Sequence, residues 1–90
     1  MIENMITIKE LKTIVEDLNT DCMFKEHREH WKCKMLKDME IALTTNDCIE
    51  RHVKVDSVVF NLNCIFDVDL SDKRIVTNDY LNYIKGLEKD

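Results

Sequence analysis

The sequence predicts a small α+β domain with two N-terminal helices, a short antiparallel β-hairpin or sheet, and a C-terminal helix. Three observations lead there. A capping box at Thr7 opens a run of apolar residues at helical spacing, and a second such run fills 21–43. From Val58 to Leu70 the pattern changes to strict alternation of apolar and mostly polar residues. An all-α bundle is the alternative, because Asp47-x-x-Glu50 also reads as the opening of a helix carrying Ile49, Val53 and Phe60.

The first element is the clearest. The Thr7 hydroxyl is placed to accept from the backbone N–H three residues on, while the Glu10 carboxylate reaches back, and Ile6 and Leu11 are spaced for a hydrophobic staple. Ile8, Leu11, Val15 and Leu18 recur at helical spacing with Ile14 beside them, giving a helix over 7–18 closed by Asn19-Thr20-Asp21. Asp21 is the expected cap of a second helix reaching Leu43, with Phe24, Trp31, Met35, Met39 and Ala42 as its apolar stripe. Glu26, Glu29, Cys33, Lys37 and Glu40 lie opposite, and Thr44-Thr45-Asn46-Asp47 ends it. Val53, Val55, Val58 and Val59 are β-branched, and Val58, Phe60, Leu62, Cys64, Phe66, Val68 and Leu70 alternate, so strands with one buried face are expected. That run is long for one strand, so a hairpin turning at Asp56-Ser57 or at Asn61-Leu62-Asn63 is predicted. The last helix begins at Thr77 or Asn78 and uses Leu81, Ile84 and Leu87, with Tyr80 and Tyr83 alongside and Gly86 marking fraying near its end.

Ninety residues fit one domain, 1–90, and are too few for the two-lobed architecture most cofactor enzymes use. The chain is 44% apolar and 34% charged, enough for one small core under an ionised surface. No stretch approaches the roughly 18 apolar residues of a membrane span, and the first ten residues lack the pattern of a secretory signal. A soluble, cytoplasmic chain is the expectation. There is no Pro, one Gly and one Ala, against ten Lys, nine Ile and seven Asn, a bias toward AT-rich codons that fits a phage, viral or mobile-element gene and equally a low-GC bacterial genome. Turns must then rely on Asn, Asp, Ser and Thr, and a glycine-rich phosphate cradle is excluded.

Net charge is −5, but unevenly spread. Between Lys25 and Lys37, five bases (Lys25, Arg28, Lys32, Lys34, Lys37) face two acids (Glu26, Glu29), a local +3 that leaves −8 on the rest. Lys25, Arg28 and Lys32 beside Trp31 form a candidate phosphate-facing side, interrupted by the two glutamates.

The four cysteines, without a secretory context, are expected to be reduced thiols. Cys22, His27, His30 and Cys33 are zinc-type ligands, but on a straight helix His27, His30 and Cys33 fan around the axis over about 9 Å, Cys22 would have to fold back from the cap, and the set matches no paired-knuckle spacing. No metal and no cofactor is therefore expected. Cys48 and His52 would form a thiolate–imidazole pair only if their stretch were helical. Asp67, Asp69 and Ser71 echo the start of a calcium loop, but Asp72 stands where that loop needs Gly and Asn78 where it needs Glu. They are expected on the solvent face of a strand and its following turn.

The sequence thus contains no assembled reaction centre, and the expected function is non-enzymatic. The reading is an intracellular protein–protein interaction module, in its most specific form a phage- or virus-encoded modulator that occludes a host protein. Its expected partner-binding residues are Lys25, Arg28, Trp31, Lys32, Asp67, Asp69, Asp72, Tyr80 and Tyr83. A homodimer through an open edge strand is a further possibility. The alternatives are a nucleic-acid-binding regulator using the basic helix 25–37 and a zinc-stabilised module.

Overall fold

The computed structural model describes residues 4–21 and 23–88. In chain order these form strand β1 (Met5–Thr7), helix α1 (Ile8–Glu16), helix α2 (Lys25–Thr44), helix α3 (Cys48–Phe66), strand β2 (Arg74–Val76) and helix α4 (Asn78–Glu88). The result is a small, mostly helical single domain with a very short sheet.

α1 starts from the predicted Thr7 cap but closes at Glu16, two residues short of the expected Leu18, and Thr7 itself ends β1. The Glu10 N–H donates to Thr7 Oγ1 at 3.0 Å, and the Thr7 hydroxyl donates in turn to the Glu10 carboxylate at 3.3 Å. Ile8, Leu11 and Val15 are buried. α2 starts at Lys25, later than an Asp21 cap requires: Phe24 occupies the cap position without a side-chain hydrogen bond. The Asp21 N–H is instead turned onto Asn19 Oδ1 at 2.9 Å. Met35, Met39 and Ala42 are buried as their spacing demands, while Phe24, at the open end of that stripe, is exposed.

The principal correction concerns 48–66. The expected antiparallel hairpin does not form; this stretch is one long helix, as in the all-α alternative. Asp47 Oδ1 accepts from the N–H groups of Ile49 (2.9 Å) and Glu50 (3.4 Å), satisfying two donors that the first helical turn leaves orphaned. Val55, Val58, Leu62 and Phe66 then fall on one face at three-and-four spacing, all buried. A β-branched residue costs only about half a kcal/mol in a helix, which burial of that face outweighs. The helix ends at Asp67, whose φ of 57° is left-handed, while the Val68 N–H returns to the Leu62 carbonyl at 3.0 Å. The sheet is correspondingly different. β1 and β2 pair in parallel, Met5 with Arg74, Ile6 with Ile75 and Thr7 with Val76. Parallel strands need a long crossover, here the three intervening helices.

α2 and α3 lie antiparallel. At one end the Arg28 guanidinium sits 5.3 Å from the centre of the Phe66 ring. At the other, Arg51 donates to the carbonyls of Ala42 (3.4 Å) and Thr45 (2.8 Å), filling acceptors that the end of α2 leaves open. α1 is fixed to α2 by the Lys12–Glu40 ion pair and by Lys32 Nζ donating to the Leu18 carbonyl at 3.0 Å. Hydrogen bonding to Glu40 holds the Lys12 ammonium above its ordinary pKa. One apolar cluster joins Leu11 and Val15 of α1, Met35 and Met39 of α2, and Val58 and Leu62 of α3. The body measures 52 × 26 × 17 Å. A helix with its side chains is about 10–12 Å across, so every helix in so thin a slab retains an outward face.

Candidate functional site

α3 carries apolar side chains on two opposite sides. Val55, Val58, Leu62 and Phe66 face the core. At 100° per residue Ile49, Val53 and Phe60 fall within about 40° of one another, diametrically opposite that buried set. They are 75%, 56% and 66% exposed. Large apolar residues aligned on one line of a helix are a different matter from scattered surface ones, which need no explanation. Asp56 and Cys64 lie on the same line, both exposed.

The charges around this stripe are sorted by sign. Lys54 turns inward, 3.9 Å from the largely buried Asp38 carboxylate of α2, and Arg51 is committed to the α2 carbonyls. Glu50 and Asp56 stay outward. Beside Phe60 a shallow groove of about 270 Å³ opens between α3 and the 67–72 loop, lined by Asp56, Phe60, Asn63, Asp69 and Leu70. Asp69 Oδ1 accepts from the Ser71 N–H at 2.9 Å, and that bond holds the carboxyl below its ordinary pKa. The loop is irregular and not the strand face expected of Asp67, Asp69 and Asp72, though all three acids are exposed.

The basic stretch is less available than its composition promises. Arg28 stacks on Phe66 and Lys32 is bound to the Leu18 carbonyl. Lys34 lies 4.7 Å over the Trp31 ring, and Lys25 is 4.0 Å from Glu29. Trp31 is half-buried and packs against the core, with His27 and His30 edge-on to it at 6.3 and 5.8 Å between ring centres. Tyr80 and Tyr83 are exposed on α4, where Arg74 lies 5.5 Å over the Tyr80 ring. α4 begins at the end of the slab where Ile8, Ala42 and Arg51 meet. Arg28 and Asp67 share the Phe66 end. Asp72 and Arg74 border one shallow groove, and Arg74 links that loop to Tyr80.

Of the candidate zinc ligands, Cys22 lies outside the described residues. Among the described residues no three His, Cys, Asp or Glu side chains are placed to hold a metal ion. Cys48 and His52 do sit one turn apart on α3, and His52 Nε2 is 3.0 Å from Asp56 Oδ2. These side chains run along an open helix surface, His52 77% and Asp56 65% exposed, so nothing there excludes water from a reacting group.

The alternating pattern separates Ile49, Val53 and Phe60, whereas the helical alternative puts all three on one helix; what it does not foresee is that they face outward, away from the core. The signal was present in the capping pattern at Asp47: once the stretch is taken as helical, the three fall into line. No protein-family model, curated protein or solved structure matches this chain.

Proposed function

We propose that this protein is a non-enzymatic protein-interaction module that docks through the outward face of α3. The observation that carries the reading is the alignment of Ile49, Val53 and Phe60, each more than half exposed, on the side of α3 opposite the core. Covering three such side chains stabilises a complex by roughly 1–2 kcal/mol each before the costs of association, which makes them plausible anchors within a polar rim. The mechanism is occlusion: a rigid helix face competes for a surface on its target. The AT-rich codon bias fits a phage- or virus-encoded modulator of a host protein. The basic helix 25–37 offers less to nucleic acid, because Arg28, Lys32 and Lys34 are held by Phe66, the Leu18 carbonyl and Trp31.

The test is a pull-down with three baits: wild type, Phe60→Asp, and Lys34→Glu with Lys37→Glu. A protein retained by wild type and the lysine variant but lost with Phe60→Asp supports the reading. Loss confined to the lysine variant, with nucleic acid co-purifying, overturns it.

A further inference from the structure

The outward face of α3 is an apolar line whose neighbouring charges are acidic. Glu50 and Asp56 project from the helix, and Asp69 borders the groove beside Phe60, with Asp67 and Asp72 exposed in the same loop. The cations that would balance them are turned away, Lys54 toward Asp38 and Arg51 onto the Ala42 and Thr45 carbonyls. His52, the remaining basic group on this side of α3, is paired with Asp56, and Lys73 follows the loop, half-buried.

Resting on the docking reading, we infer that the occupant of this face is a cationic amphipathic helix of the partner protein. A helix suits this face because α3 offers no backbone groups: its N–H and C=O groups are bonded along its own axis. An extended strand laid there would leave its own peptide groups unpaired. A partner helix brings those groups already satisfied and presents apolar residues at helical spacing against the four- and seven-residue steps between Ile49, Val53 and Phe60. That line spans about 16 Å at 1.5 Å per residue, about three turns of the partner. Lysine or arginine on the partner helix meets Glu50 and Asp69 at the rim and Asp56 on the line itself, between Val53 and Phe60, where opposite charge speeds encounter and sets orientation. A second copy fits less well. Each chain carries −5, and antiparallel pairing of α3 that sets Val53 against Phe60 brings the two Asp56 carboxylates together at the dyad.

The experiment uses fluorescently labelled 18-residue peptides with leucines at helical spacing, one with lysine and one with glutamate at all other positions, titrated with the full chain and read by anisotropy. The lysine peptide is expected to bind at least tenfold more tightly than the glutamate peptide, and more weakly as salt rises. Phe60→Ala should weaken it at least tenfold and Asp56→Asn with Asp69→Asn at least fivefold, whereas Glu16→Gln on α1 should leave it unchanged. If both peptides bind equally and both depend on Phe60, the cationic assignment falls and docking at α3 survives. If binding ignores Phe60→Ala, both fall. Sedimentation showing a dimer that Phe60→Ala dissolves makes a second copy the occupant and overturns the inference.

Discussion

Phe60 and Leu62 are two residues apart, so in a strand they would share a face and in α3 they do not. Leu62 is fully buried and Phe60 is 66% exposed. Leu62→Ala removes a core side chain and leaves a cavity, at a cost of about 3–5 kcal/mol. A 90-residue domain has a total stability of roughly 5–13 kcal/mol, so this variant loses a large part of it. With a urea dependence near 1–1.5 kcal/mol per molar, its unfolding midpoint should fall by about 2–5 M, or the chain should already be unfolded. Phe60→Ala surrenders only the buried third of the ring and should cost less than about 1 kcal/mol. The assay is urea unfolding followed by circular dichroism at 222 nm. Equal losses for the two variants would restore the alternating strand and refute the helical account of 48–66.

Other consequences can be checked on the same material. Thr7→Ala should destabilise by about 1 kcal/mol, because the Glu10 N–H loses its acceptor, and Asp47→Ala by a similar amount; equilibrium unfolding measures both. Asp67→Gly should stabilise by about 0.5–1 kcal/mol, since glycine relieves the left-handed cap at the end of α3. The Asp69 carboxyl, held low by the Ser71 N–H, should titrate below the ordinary value of about 3.9 in a carbon-detected NMR series. Its contribution to stability is complete above that ordinary value and disappears as pH falls through the lower folded one. A midpoint at or above 3.9 contradicts the turn geometry.

The parts of the fold legible in the sequence are those where a side chain fixes a helix end. Thr7 with Glu10 placed the start of α1, and the apolar spacing from Met35 to Ala42 placed the buried side of α2. Thr77, whose hydroxyl accepts from the Tyr80 N–H at 3.1 Å, placed the start of α4. α3 was misread because two apolar faces on one helix imitate alternation: Val58, Leu62 and Phe66 point inward while Phe60 and Cys64 point outward, and together they occupy every second position. Asp47 carried the contrary signal. The short parallel β1–β2 pair could not be read from either strand, because each is three residues long and its partner lies across the whole helical body. Of the candidate site, the acids of 67–72 were recognisable by composition. The anchors on α3 were legible only in the helical alternative opened by Asp47, because which residues line up depends on the period of the backbone, and period two places Ile49 and Phe60 on opposite faces.

A photoreactive phenylalanine analogue placed at position 60 probes the proposed contact surface directly, with the same probe at position 34 of α2 as the comparison. Irradiated in lysate that contains its target, the chain should form a discrete protein adduct from position 60 and none from position 34. An adduct from 34 alone would mean that recognition runs through the lysine-rich helix and would contradict the assignment to α3.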